Sequence, residues 1–157
     1  MLHTSTVFHY IAKYGSKIAA FPFRRYFTAT RLNECLIFDV TASGDPINYQ
    51  LSTFEGFCWL DTYNLSPFEL SIDRMTVEVV LDGGSKFVCT LTTPRVLKPC
   101  THNRIHVKGM SPMSPQLFEA AKKLQRAWVN IDAYVNCSIR PFEVHKQIND
   151  LKSTRLL

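Results

Sequence analysis

At 157 residues the chain suits a single domain with a modest core, and no apolar run approaches the roughly 20 residues of a membrane-crossing helix. The net charge of +5 invites a polyanionic partner, yet Lys13, Lys17, Arg24, Arg25 and Arg31 are all the charged residues before Glu34, and the other 13 basic residues are balanced by 13 acidic ones. Five scattered cysteines with no Cys-x-x-Cys pair argue against a disulfide framework or zinc module and suit a reducing compartment.

In the first thirty residues Val7, Phe8, Ile11, Ile18 and Ala19 lie near one face of a helical wheel, with Lys13 and Lys17 off it. Acids are absent, Ser and Thr are frequent, and Arg24 and Arg25 gather before Thr28, the composition of a mitochondrial transit peptide. Arg25-Tyr26-Phe27 before Thr28 fits the matrix-processing pattern with arginine three residues before the cut. Residues 1–30 therefore read as a targeting segment carried by Lys13, Lys17, Arg24, Arg25 and Phe27. The expected compartment is the mitochondrion, in the matrix or associated with the inner membrane. The alternative is an amphipathic helix docked on the domain, which would leave the protein cytoplasmic.

The segment Glu34 to Val40 reads as a buried strand, followed by the turn Ser43-Gly44-Asp45-Pro46. Ile47, Tyr49 and Leu51 alternate with polar residues as a second strand, and Gly56 predicts a break or bulge before Phe57-Cys58-Trp59-Leu60. Trp59 and its aromatic neighbours are assigned to the core. Met75, Val77, Val79 and Leu81 then alternate with Thr76, Glu78, Val80 and Asp82, Asp82-Gly83-Gly84-Ser85 supplies a tight turn, and Phe87, Cys89 and Leu91 resume the alternation: a β-hairpin. Pro94 and Pro99 bracket a short extended connection. Ile105 and Val107 make a brief strand whose other face carries His102, Arg104, His106 and Lys108. This basic stripe in a neutral body is the candidate partner-binding site, for an anionic lipid, RNA or an acidic protein surface; the alternative is a solvated face.

Ser114-Pro115 predicts a helix start, with Leu117, Ala121, Leu124 and Trp128 on one face and Lys122, Lys123 and Arg126 near its C-terminal end. Val129, Ile131, Ala133, Val135, Cys137 and Ile139 then alternate with polar residues, a long strand packed on one side. Pro141 ends or bends it, Phe142-Glu143-Val144 continues as an edge piece, and residues 149–157 read as a flexible tail. The expected fold is mainly β: an antiparallel β-sandwich over residues 34–148, one short helix before the closing strand and an N-terminal amphipathic helix.

Asn64-Leu65-Ser66-Pro67-Phe68-Glu69-Leu70-Ser71-Ile72 resembles the Asn-Pro-Phe and following stretch of group-two late-embryogenesis-abundant proteins, the water-stress and hypersensitive-response domain. The resemblance covers Phe57 to Phe142, with Met75 to Gly84 as the strand and small-residue turn, Leu117 to Leu124 as the helix and Val129 to Ile139 as the closing strand. The family's Asn-Pro-Asn-Pro-Phe repeat is reduced here to Asn64, Pro67 and Phe68, and no transmembrane anchor precedes the domain. The resemblance implies a seven-stranded immunoglobulin-like sandwich without an active site, acting in protection or in lipid or protein contact.

Catalytic patterns are sparse. There is no Gly-x-Ser-x-Gly elbow or phosphate-binding glycine loop. On a strand His102 and His106 stand about 13 Å apart, too far for one metal. Asp61, Asp73 and Asp82 are assigned to turns or strand ends, and Cys100 beside His102 lacks an orienting acid. The chain is read as a non-enzyme without cofactor, metal or small-molecule substrate. Two functional expectations follow: a binding or protective module contacting lipid or protein, or an accessory subunit of a large mitochondrial assembly such as the ribosome or a respiratory complex.

Overall fold

The computed structural model describes residues 25–41, 46–50, 52–81, 86–111 and 125–154. A short helix α1 (Ala29–Glu34) precedes nine strands: β1 (Leu36–Val40), β2 (Ile47–Gln50), β3 (Glu55–Asn64), β4 (Leu70–Leu81), β5 (Lys86–Thr90), β6 (Arg95–Leu97), β7 (Thr101–Met110), β8 (Gln125–Cys137) and β9 (Phe142–Thr154). All pairings are antiparallel. The hydrogen-bonded path runs β1-β3-β7-β5-β4-β8-β9, with β2 also on β3 and β6 on β4. The end strands β1 and β9 approach each other and α1 lies against both, so the sheet forms a nearly closed, barrel-like fold. One joint is narrow: β5 and β7 share a single paired position, Thr90 with Lys108.

The central hairpin forms as its alternation predicts. Val77 pairs with Cys89 and Val79 with Phe87, and all four are buried. On the other edge of β4, Val79 lies opposite Val129 and Ile72 opposite Val135. Burying a side chain of this size stabilises by about 1.5–3 kcal/mol, so the β4–β8 contact anchors the core. The period breaks once. Asp73 is an extra residue between the pairs Ile72–Val135 and Arg74–Tyr134, a bulge that moves the inward positions from Leu70 and Ile72 to Met75 and Val77. Asp73 accepts from Ser71 Oγ at 2.7 Å and from Asn136 Nδ2. It is a bulge residue inside a strand, not a strand-end aspartate.

Other expectations need correction. Glu34 belongs to α1, whose N-cap Thr28 accepts from the Arg31 amide at 3.3 Å. The strand begins only at Leu36, and its Ile37 is exposed. Gly56 makes no bulge; it pairs regularly with Tyr49 on one side and Gly109 on the other. The expected helix over 114–128 falls largely outside the described residues, but Arg126 and Trp128 lie in β8, Trp128 opposite Val80. After Pro141 the chain is not a short edge piece with a frayed tail. Strand β9 runs to Thr154, with Ala127 opposite Leu151 and Gln125 opposite Thr154.

A candidate interaction face on strands β3 and β7

Strands β3 and β7 pair over ten positions, from Glu55–Met110 to Asn64–Thr101. The pleat sends Cys58, Leu60, Ile105 and Val107 into the core. The alternate residues share the outer face, where Tyr63 lies opposite His102, Asp61 opposite Arg104, Trp59 opposite His106 and Phe57 opposite Lys108. All four residues of the basic stripe are therefore on one surface, as the alternation around Ile105 and Val107 expects. The brief strand is in fact ten residues long, because β3 supplies a full-length partner.

The stripe is not purely basic. Asp61, expected at a turn or strand end, sits in mid-strand and receives His102 Nε2 at 3.0 Å and Arg104 Nε at 3.2 Å on the same oxygen, Oδ1. Burial alone would raise its carboxyl; the hydrogen bonds from His102 and Arg104 and the Arg104 charge outweigh that and hold it below the usual aspartate value. The imidazole of His106 lies between two rings, 4.2 Å from Trp59 and 5.6 Å from Phe57, nearly parallel to the latter. Burial, then the nearby charges of Lys108 and Arg95, push its pKa down, so the neutral ring is favoured. A second stack joins His102 to Tyr63 at 4.7 Å.

These aromatics overturn the assignment of Trp59 to the core: Trp59 is 40% exposed and Tyr63 37%. Ile37 at 43% and Met110 at 76% extend the apolar patch on the same face. The signal was present in the sequence. Cys58 and Leu60 compete with Trp59 for the inside, and a strand lined on one face can bury only alternate residues.

Two glycines set the rim of this face. A Cβ on Gly109 would stand 2.0 Å from the Val88 carbonyl oxygen, and one on Gly56 would stand 2.4 Å from Phe87 Cδ2. Both side-chain-free positions let β5 cross close over the end of β7, and Cys89 Sγ contacts the Gly56 carbonyl oxygen at 3.3 Å. The opposite end is pinned by buried Asn64. Its amide donates toward the carbonyls of Phe68, Leu97 and Lys98 at 2.7, 3.2 and 3.0 Å, and its oxygen accepts from the Ser66 amide and hydroxyl at 3.0 and 2.7 Å. The Asn64 to Phe68 motif is thus a structural tie between the β3–β4 and β6–β7 connections.

Of the targeting residues, Lys13, Lys17 and Arg24 lie outside the described residues. Arg25 is exposed, and Phe27 packs edge-on against Phe68 at 4.9 Å beside the core. Arg25, Tyr26, Thr28 and Arg31 line a shallow recess of about 460 Å³. A second recess, of about 270 Å³, lies over β4, β8 and β9, where His145 Nδ1 stands 2.6 Å from Asp132. Among the described residues no group of three His, Cys, Asp or Glu is placed to hold a metal ion, and no helix is long and apolar enough to cross a membrane.

No family model and no curated protein matches the chain. Solved structures with a similar fold include a structural-genomics target at 8% identity, TM-score 0.48, covering 74% of this chain and 86% of the other. A protein from Bordetella pertussis described as ApaA aligns at 10% identity and TM-score 0.46, over 74% and 93% of the two chains. A solution structure of a protein classed as late embryogenesis abundant aligns at 11% identity and TM-score 0.42, over 95% and 85%.

Proposed function

We propose that this chain is a non-catalytic binding module that contacts another protein through the outer face of β1, β3 and β7. The carrying observation is the composition of that face. Trp59, Tyr63, Met110 and Arg104 are spread along one exposed strand face, and Trp, Tyr, Met and Arg are the residues that protein interfaces concentrate. The acidic residues Asp39, Asp61 and Glu55 share the face with Arg104 and Lys108. RNA or an anionic bilayer would meet these carboxylates at close range, whereas a protein partner can answer both signs. This reading replaces the polyanionic partners with a protein.

In its finer form, the β1-β3-β7 and β5-β4-β8-β9 groups are the two layers of a sandwich of the late-embryogenesis group-two kind. The chain then serves as an accessory component of a larger mitochondrial assembly, to which residues 1–30 direct it. A reporter fused to residues 1–30 tests the address: mitochondrial accumulation supports it and a diffuse cytosolic signal overturns it. For the face itself, a photoreactive amino acid at position 59 should crosslink a protein in native extract, while one at exposed Asn149 on β9 should not. Equal crosslinking from both positions, or none from position 59, overturns the assignment of the face.

A further inference from the structure

Strand β7 is paired to β3 along its whole length, but its other edge is largely open. There β5 shares one paired position with it, Thr90 with Lys108. Beyond Thr90 the chain turns to β4 instead: the Leu91 amide donates to the Met75 carbonyl at 2.9 Å, and β6 pairs with Leu70 to Ile72. The register tells which groups of β7 are left. Trp59 donates its amide to the Pro46 carbonyl, and its own carbonyl accepts from the Thr41 amide. Both groups thus point away from β7, and Trp59–His106 is a non-hydrogen-bonded pair. Such pairs alternate with bonded ones in an antiparallel ladder, so Asp61–Arg104 and Tyr63–His102 are of the same kind. The amides and carbonyls of His102, Arg104 and His106 therefore face the open edge. Among the described residues no backbone hydrogen bond reaches them.

This edge is also the basic side of the molecule. No acidic residue lies between Asp82 and Glu119, a stretch that holds Arg95, Lys98, Arg104 and Lys108. Arg95 is exposed on β6 and close enough to act on His106. Asp61 engages the Nε of Arg104, and the guanidinium keeps donors for a second carboxylate. We propose that the protein partner adds an extended acidic segment to the open edge of β7 as an additional antiparallel strand, an inference that rests on the protein-contact reading above. Strand addition answers the unpaired donors and acceptors together. RNA or a lipid headgroup could answer the charges but not the alternating amides and carbonyls. Two β7 edges paired with each other would set cation against cation.

The pleat fixes the pattern of the incoming segment. Residues opposite His102, Arg104 and His106 share the outer face with them, and carboxylates there lie near Arg104, Lys108 and Arg95. The residues between turn to the side of Asn103 and Ile105, which calls for small apolar side chains. From His102 to His106 the edge spans about 13 Å, so a short segment suffices. High salt should weaken the contact, because its charges are exposed.

Amide hydrogen exchange on the purified full chain gives the first test. The amides of His102, Arg104 and His106 should exchange roughly tenfold or more faster than those of Asn103 and Ile105, which β3 holds. Equal protection means a closed edge and overturns the inference. The binding probe is a fluorescent heptapeptide that alternates glutamate and valine. It should bind and slow exchange at those three amides; binding without that protection overturns strand addition. The same peptide N-methylated at each glutamate keeps its charges but loses the donors that would face β7, and should bind roughly tenfold or more weakly. Equal binding would show a charged surface only. Arg104→Gln/Lys108→Gln should weaken binding about tenfold, with Arg95→Gln/Lys108→Gln deciding if circular dichroism shows the first pair unfolded; unchanged affinity overturns the acidic partner. Displacement of the peptide by an equal concentration of oligouridylate assigns the edge to nucleic acid instead. If the heptapeptide fails to bind at about 1 mM while position 59 still crosslinks a protein, only the edge is removed. Failure of both removes the protein-contact reading as well.

Discussion

Asn64 shows how one side chain can organise two loops. Three carbonyls and the Ser66 amide rely on it in a buried setting, and an abandoned buried polar group costs about 1–3 kcal/mol. Asn64→Ala should therefore lose about 2–4 kcal/mol in urea unfolding; a loss within experimental error would mean that the loops hold each other without it. His106 makes a second residue-scale prediction. Burial and the Lys108 and Arg95 charges depress its folded pKa, so the unfolded chain binds the proton more readily. Its contribution is then present above pH about 6.5 and is lost as pH falls through the folded value. Unfolding midpoints followed from pH 7.5 to 5 should drop more steeply in the wild type than in His106→Phe, which keeps a ring between Phe57 and Trp59. His145, whose pKa its hydrogen bond to Asp132 raises, is common to both and drops out of the comparison. Parallel curves would show that His106 is not the titrating group.

At the scale of elements, the β5–β7 crossing depends on what two glycines lack. An added methyl at position 109 meets the backbone of Val88, whereas one at position 56 meets the Phe87 ring, which can turn. Overpacking typically costs about 1–3 kcal/mol, and Gly109→Ala should be the worse of the two by chemical denaturation. The reverse order would mean that β5 yields more easily than the Phe87 ring. Strand β8 supplies the second test, because it packs on one face. Val135→Asp places an unpaired charge in the core and should cost about 3 kcal/mol or more. Asn136→Ser, on the opposite face, should cost about 1 kcal/mol or less. It loses the hydrogen bond to Asp73, which also makes aspartate a poor control at position 136. Similar losses from both would show β8 covered on two sides.

Over the whole molecule, stability is unevenly spread. Strands β4 and β8 are each paired along both edges and bury Val77, Val79, Val129 and Ile131; β2 and β6 are three- or four-residue strands at the periphery. Amide hydrogen exchange should be slowest at Val79 and Val129 and faster by orders of magnitude in β2 and β6, since edge strands open without global unfolding. Uniform protection across all strands would contradict this gradient. The exposed apolar residues are unevenly spread too. Ile37, Trp59, Tyr63 and Met110 share one face, and none of the exposed large hydrophobics among the described residues lies on β4, β8 or β9. Tyr26, Phe54, Leu65, Val88 and Val96 are exposed elsewhere, so it is the sharing of one strand face by the other four that supports the proposed protein contact.

Local pattern alone determined the central hairpin, the inward set Val129, Ile131, Ala133 and Val135, and the grouping of His102, Arg104, His106 and Lys108 on one face. A two-residue period is a property of the strand itself and needs no knowledge of its neighbours. Tertiary structure decided the rest. The exposure of Trp59 depends on Leu60 and Cys58 taking the inside. Asp61 acquired its role because β7 places His102 and Arg104 across from it, a register no single strand encodes. Gly56 and Gly109 answer to the passage of β5, and the long β9 exists because β8 offers it a paired edge as far as Gln125. Strand pairing joins residues far apart in the chain, and the energy that selects one register is shared between both partners, so neither sequence segment carries it alone.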